Sequence, residues 1–406
     1  MRIDSDRILR DIEAIGAITE TPGGCSRPTF TAAWRAARDY VIDEAGRAGC
    51  AVRVDAFGNV HMRPSGVPWE SRCWLTGSHV DTVPNGGKFD GVVGVVVGLE
   101  ILRAAHEAGR TLPMELCMFA EEEGTTFGLG MLGSRAWAGT LSVEQLSRAM
   151  NGDAASFLQA GAAHGVDPSH MPADRLDGSR YCGMIEVHVE QGPAMWERGI
   201  PVALVTAVNG RRQLMCTIRG VANHAGSTPM EYRFDALAAA GACIVELERL
   251  PREFEQAVCT VGRIEARPNA VNVIADEVMF TIDFRSRSER TLADGAARMK
   301  SSLGTICDRR GVKLELREYE HLPPVRFDAR VCDRIRAAAG QVGLTALAET
   351  TSGALHDAVI LAPFVPSAMV FVASKDGVSH NPAEFSRAED ITLAARIVGQ
   401  AVSEVI

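Results

Sequence analysis

At Asn209-Gly210 the pattern of this chain changes, and the change dictates its architecture. Before that point strand-like and helix-like segments alternate. A helix is predicted over 31–49, with Trp34, Ala37, Val41 and Ala45 on one face and Gly49 as its stop. Strands follow at 51–62 and 73–80, a helix at 91–108, and strands at 114–120 and 184–192. Such interleaving predicts an α/β fold. After Gly210 the order is strand 212–220, helix 234–250, strands 257–266 and 277–286, helix 288–311 and strand 312–320. That β-α-β-β-α-β order suits a ferredoxin-like unit. Pro323-Pro324 marks the return, followed by a helix at 329–340, a strand at 367–374 and a helix from Ala388. The sequence therefore predicts a discontinuous domain, 1–209 and 326–406, interrupted by a smaller one at 210–325.

A length of 406 residues fits more than one core, and 46% hydrophobic with 23% charged residues is ordinary globular usage, which excludes disordered, collagen-like and coiled-coil chains. The net charge is −9 and no basic block is present, so nucleic acid is not an expected partner. The most apolar stretch, 358–373, is broken by Pro363, Pro366 and Ser367 and is too short to span a bilayer. The first residues alternate charged and apolar positions at helical spacing, unlike a signal peptide, which predicts a mature cytoplasmic protein outside the membrane. Ten scattered cysteines without a CxxC pair read as reduced core thiols.

His79 ends an apolar strand, and Asp81 follows two residues later, where strand alternation would let its carboxylate orient the imidazole. Asp90 sits in a Gly- and Asn-rich loop just before a helix, either as a helix cap or as a ligand. Glu121, Glu122 and Glu123 close another strand beside a glycine. The run is either a solvated turn or a place where one carboxylate binds a metal while its neighbour meets a water. His188 closes another apolar strand and His380 follows one, both at the edge where α/β sheets gather ligands, although each alone reads as an incidental loop residue. Three histidines and two carboxylates without thiolate suit zinc, manganese, cobalt or nickel. Five ligands exceed the need of one four-coordinate zinc, so two ions sharing a carboxylate fit better. No GxSxG elbow is present, GGKFDG lacks the Ser or Thr of a P-loop, and GLGMLG at 128–133 follows an acidic run and is read as a flexible loop.

Eight segments, GSHVDTVPNGGKFDG, AEEEG, HVEQG, NHAGSTPM, RPNAVNVI, FTIDFRS, SGALHDA and SHNPAEFS, together resemble the amidase branch of the dinuclear zinc peptidases. That branch holds N-carbamoyl-L-amino-acid hydrolases, β-ureidopropionases and allantoate amidohydrolases, and the match runs from about residue 55 to the C-terminus. The resemblance implies a mixed-sheet, aminopeptidase-like catalytic domain with an inserted ferredoxin-like lid and dimerisation domain. It also implies two divalent metal ions per subunit, zinc first, with manganese, cobalt or nickel as alternatives. By position, His79, Asp90 and His188 would hold one ion, and Asp90, Glu123 and His380 the other, with Asp90 as the bridge. Glu122 becomes the general base, with Asp81 beside His79 as a further catalytic residue. His224 would come from the smaller domain of the partner subunit to stabilise the oxyanion, which implies a homodimer. Asn272 and Arg285 would grip the substrate carboxylate, the guanidinium fork matching it, while Gln191 and His356 would contact the ureido group.

The implied reaction is hydrolysis of the carbamoyl C–N bond of a small N-carbamoyl-L-amino acid, giving the amino acid, ammonia and CO2. Hydrolysis of β-ureidopropionate, allantoate or an N-acyl amino acid, and a non-catalytic metal-binding scaffold, are the alternatives. Two departures alter the pocket without touching the metals: Thr126 and Leu355 stand where many relatives carry Arg and Gly.

Overall fold

The computed structural model describes residues 1–403. The chain divides into two compact units. One comprises Met1–Thr206, Phe327–Thr350 and the chain from Ala354; the other comprises Ala207–Arg326 with Thr351–Gly353. The strip 351–353, which the sequence places in the larger domain, goes with the smaller unit. Arg285 Nη1 donates to the Gly353 carbonyl at 2.8 Å, and the Asn209 amide donates to that of Ser352 at 2.9 Å.

The larger unit begins with α1 (Ser5–Gly16), α2 (Ala32–Arg47), β1 (Cys50–Val54), β2 (Val60–Pro64), β3 (Cys73–His79), α3 (Val92–Glu107) and β4 (Met114–Phe119). Short helices α4 (Leu132–Trp137), α5 (Val143–Arg148) and α6 (Phe157–Gly161) lead to β5 (Tyr181–Val189), α7 (Ala194–Glu197) and β6 (Val202–Val208). The smaller unit contains β7 (Gly210–Arg219), β8 (Asn223–His224), α8 (Ala236–Arg249), β9 (Ala257–Thr260), β10 (Ile264–Arg267) and β11 (Val273–Ile274). It ends with β12 (Glu277–Ser286), α9 (Glu289–Arg309), β13 (Lys313–Leu322) and β14 (Val325–Arg326). Then follow α10 (Ala329–Gln341), β15 (Ala348–Ser352), α11 (Asp357–Leu361), β16 (Ser367–Val372) and α12 (Ala388–Ala401).

The larger unit's sheet runs β1-β2-β4-β3-β5-β16-β6. Its centre, β4-β3-β5-β16, is parallel, and antiparallel pairings finish both sides. Strands β3 and β5 are buried at every residue, as parallel strands covered on both faces must be. Helix α3 is buried continuously from Val92 to Ala105, a core helix apolar almost all round. Gly94 and Gly98 let it lie close to the sheet. A Cβ at Gly94 would stand 2.4 Å from the Val187 carbonyl oxygen, and one at Gly98 would stand 2.6 Å from Leu116 Cδ1.

In the smaller unit the antiparallel order is β10-β12-β7-β13, with β9 pairing along β12 as well. With β9 and β10 taken as one interrupted strand, this is the ferredoxin-like arrangement. One sheet face, Leu214, Cys216, Ile218, Val278, Phe280, Ile282 and Phe284, packs with Ala240 and Leu247 of α8 and Met299 and Leu303 of α9.

Three local expectations change. The predicted strand 51–62 is a hairpin, because Asp55 accepts from the amides of Phe57 and Asn59, both at 2.9 Å, and Gly58 at φ 86° closes the turn. The strand 257–266 is interrupted, the Arg263 amide donating to Thr281 Oγ1 at 3.1 Å instead of to a ladder carbonyl. GLGMLG is no free loop: the amides of Met131, Leu132 and Gly133 donate to the carbonyls of Glu122, Glu121 and Ala120 at 2.8–2.9 Å. It thereby braces the glutamate run from behind. All ten cysteines are unpaired and most are buried. Among the described residues no helix is long and apolar enough to cross a membrane.

Candidate metal centre

Four adjacent parallel strands deliver the site. His79 closes β3, Glu121–Glu123 follow β4, His188 lies near the end of β5, and His380 follows β16. Asp90 arrives from the loop between β3 and α3. Segments far apart in sequence thus meet at the C-terminal edge of one sheet, the place where open α/β sheets bind ligands.

Asp90 is the hub. Its Oδ1 lies 3.1 Å from His188 Nε2 and 3.8 Å from His79 Nε2, while its Oδ2 lies 3.2 Å from His380 Nε2. Gln191 Nε2 donates to the same Oδ2 at 2.9 Å, and Ser379 Oγ stands 3.2 Å away. The helix-cap alternative falls, because α3 has Gly91 at its N-cap with no side-chain cap. Two triads share Asp90: His79, Asp90 and His188, and Asp90, Glu123 and His380, each offering donor atoms within 4.8 Å of one another. His188 also belongs to a third group with Glu186 and His356. Both Glu186 oxygens already accept hydrogen bonds, from Ser78 Oγ at 2.9 Å and from the Ala358 amide at 2.8 Å.

The imidazoles are aimed by backbone carbonyls. His79 Nδ1 donates to the Asp81 carbonyl at 2.9 Å and His188 Nδ1 to that of Val189 at 3.0 Å, which turns each Nε2 inward. This corrects the sequence reading of Asp81. Its carboxylate Oδ1 is 3.8 Å from His79, and Oδ2 instead accepts from the Glu123 amide at 3.0 Å. Strand β3 ends at His79, so the side-chain alternation on which that reading rested stops there. Gly91 gives the His79 ring its space, since a Cβ there would lie 2.4 Å from ring atoms.

The glutamate run is no solvated turn. Glu121 is fully buried, and its Oε1 accepts from the amides of Thr126 and Phe127 at 2.8 and 2.9 Å. Glu122 and Glu123 face the cluster with side chains 10% and 7% exposed, each with a carboxylate oxygen 3.5 Å from an imidazole, His79 and His380 respectively. Thr126 Oγ1 accepts from the Thr29 amide at 3.0 Å, so the side chain at this departure position ties the turn to the residues before α2.

Burial and crowding set the charges. Burial pushes the His79 imidazole down to about 4 despite the nearby Asp90. Burial works equally against a charged His188, but the hydrogen bond to and charge of Asp90, the charge of Glu186 and the Val189 carbonyl together carry it up to about 9. Burial opposes ionisation of Asp90 too, but His188 and His380 hold its carboxyl well below the usual range. Glu122 and Glu123 are raised well above it, by burial first and then by neighbouring carboxylates. Divalent cations fit this set: the donors are imidazole and carboxylate, His79 Nε2 is buried without a hydrogen-bond partner, and positive charge would relieve the crowded acids.

Gln191 and His356 join the cluster. Gln191 Nε2 also lies 3.4 Å from His380 Nε2, its Oε1 has no hydrogen-bond partner, and the His356 ring sits 4.4 Å from that of His188. The other three predicted residues lie in the smaller unit. His224 on β8 pairs with Val273 on β11, and the Ala225 amide donates to the Asn272 carbonyl at 3.0 Å, so one two-stranded antiparallel ladder brings His224 and Asn272 together. Arg285 lines a pocket of about 450 Å³ with Gln213, Thr260 and Tyr319, and its guanidinium donates to both Asp283 oxygens, at 2.7 and 3.1 Å.

Sequence reasoning missed Glu186, Asp357 and Glu384, all buried acids beside the cluster. Glu186 stands two residues before His188 on the same strand and Asp357 directly follows His356, so adjacency to a candidate was the only signal available.

A sheet that gathers imidazoles and carboxylates at its parallel strand ends, with a further glutamate beside them, is the scaffold of a metallohydrolase. The chain matches the peptidase family M20/M25/M40 over residues 75–404 and belongs to that family. It is 36% identical over 399 residues to an N-carbamoyl-L-amino acid amidohydrolase of Geobacillus stearothermophilus, covering 98% of this chain and 97% of that protein. It is 34% identical over 387 residues to an allantoate amidohydrolase of Bacillus subtilis strain 168, covering 92% and 91%. The crystal structure of an amidase of the hydantoinase/carbamoylase family from Burkholderia multivorans matches with a TM-score of 0.88 at 33% identity, covering 99% of this chain and 98% of that one. The protein is a hydrolase of C–N bonds other than peptide bonds, in the amidohydrolase branch of the family.

Proposed function

We propose that this protein hydrolyses the carbamoyl C–N bond of N-carbamoyl-L-amino acids at a centre of two divalent metal ions, zinc first. The observation that carries the reading is the division of Asp90, with one oxygen toward His188 and the other toward His380. His79, Asp90 and His188 would hold one ion; Asp90, Glu123 and His380 would hold the other. Divalent cations at such a centre supply polarisation of a carbonyl and acidification of water.

Glu122 takes the proton of the attacking water and returns it to the leaving nitrogen. Asp81 serves indirectly, its carbonyl aiming His79 and its carboxylate fixing the Glu123 amide. His224 supports the oxyanion. Its Nδ1 accepts from the amides of Gly226 and Ser227 at 3.0 and 3.1 Å, so the ring hydrogen sits on Nε2, which is left as the donor. Delivered by a partner subunit, it makes the homodimer the working form. Arg285, with one N–H left on each terminal nitrogen after pairing with Asp283 and Gly353, and Asn272 hold the substrate carboxylate. The unpartnered Gln191 Oε1 and the His356 ring receive the ureido group.

The allantoate reading keeps the same metals and base and differs only in the substrate's side group; the allantoate amidohydrolase relative favours keeping it as the second choice. Ammonia release by metal-reconstituted protein from a panel of N-carbamoyl-L-amino acids, β-ureidopropionate and allantoate tests the assignment. Turnover led by N-carbamoyl-L-amino acids is expected. Turnover of allantoate alone would install the second reading, and no turnover of any ureido compound would reject both.

A further inference from the structure

Glu384 stands four positions beyond His380, is 4% exposed, and belongs to none of the metal-binding groups among the described residues. Its Oε2 accepts from two consecutive amides, Phe89 at 2.9 Å and Asp90 at 3.0 Å. These precede the first turn of α3, where buried N–H groups need an acceptor from outside the helix. Its Oε1 lies 2.9 Å from Ser379 Oγ, the hydroxyl that also stands 3.2 Å from Asp90 Oδ2. Edge-to-face packing of Phe89 on Phe385, 5.9 Å between centroids, closes the same junction. The approach is tight: a Cβ at Gly87 would stand 2.1 Å from Glu384 Oε2. One carboxylate therefore joins the loop that carries Asp90 to the turn that carries His380.

We infer that Glu384 is a positioning residue that sets where the Asp90 carboxylate sits between His188 and His380, and with it the spacing of the two metal triads. The inference rests on the metal-centre reading above. Geometry, rather than charge, is what Glu384 contributes. Glutamine keeps an oxygen for the two amides and a polar nitrogen toward Ser379, whereas alanine leaves two buried N–H groups without an acceptor.

Zinc affinity and stoichiometry, measured by competition with a chromophoric chelator, separate the possibilities. Glu384→Ala should weaken zinc binding by about 10–100-fold, the usual cost of losing a partner that orients ligands. Glu384→Gln should stay within about three-fold of wild type. Gly87→Ala, which displaces the carboxylate without removing it, should follow Glu384→Ala and supplies the test if Glu384→Ala fails to fold. Wild-type affinity in folded Glu384→Ala or in Gly87→Ala overturns the inference, as does a Glu384→Gln protein as weak as Glu384→Ala. Wild-type protein that binds no zinc, manganese, cobalt or nickel would instead overturn the metal-centre reading itself.

Discussion

Asp90, buried, and Glu122, largely shielded, are both acids within a few ångströms of His79, yet their surroundings separate their roles. Asp90 has imidazole partners on both oxygens, a bridging environment; Glu122 has crowding acids and a single imidazole at 3.5 Å. Removing the bridge should empty both positions, so Asp90→Ala should lose both ions, whereas His380→Ala should mainly affect one. Metal counting by mass spectrometry decides this, and two ions retained per Asp90→Ala chain would refute the bridge. Glu122→Gln keeps the shape and removes the proton acceptor. Its metal content should survive while kcat falls by about 10²-fold or more; turnover within a few-fold of wild type would move the base to a neighbour.

At the scale of elements, the sheet holds the site partly through a buried polar network between β2, β4 and β5. Glu115 accepts from Tyr181 Oη at 2.9 Å and from Arg63 Nε at 3.0 Å, and His61 Nδ1 lies 2.8 Å from it. His61 Nε2 continues to Asp55 at 3.0 Å, and Asn59 links Asp55 to the Ala120 amide immediately before the glutamate run. Burial would raise the Glu115 carboxyl, but His61 and Arg63 hold it down at about 2, against 4.5 for the free group. Between those values the unfolded chain binds a proton that the native protein does not, so this carboxylate's contribution to stability is present above pH about 4.5 and is lost as pH falls toward about 2. Urea unfolding across that window should show a slope shallower in Glu115→Gln than in wild type; identical slopes would remove Glu115 from the acid response. The junction of β3 and α3 offers a second check. Gly91 has φ 66°, and a Cβ there would strike the His79 ring, so Gly91→Ala should lower metal affinity at least about ten-fold. Unchanged zinc binding in a competition assay would show that the ring can yield.

For the whole molecule the decisive matter is whether His224 serves its own chain's metal centre or another's. Mixing His224→Ala subunits with Glu122→Ala subunits should restore about a quarter of wild-type activity. Random exchange makes half the dimers mixed, each with one of its two sites whole, as a C2 pair sharing sites requires. No recovery after proven exchange would place His224 in its own subunit's site or outside catalysis. What could be read from the chain alone were the α/β order, the ferredoxin-like insert and the metal-site candidates, because strand ends, periodicity and short motifs are local properties. His79 and His188 lie at the ends of buried strands and His380 follows one, and that was enough to suspect them. The contacts between distant segments were decided only by the tertiary structure. Nothing within SHNPAEFS reveals that Glu384 caps amides 294 and 295 positions earlier, or within FTIDFRS that the Arg285 guanidinium also reaches the Gly353 carbonyl. The same holds for Asp81, where the end of β3 at His79 replaced the expected carboxylate contact with a carbonyl. Hydrogen-bond partners of buried polar groups depend on which strand ends the sheet brings side by side, and that order, β4-β3-β5-β16, is not the order of the chain.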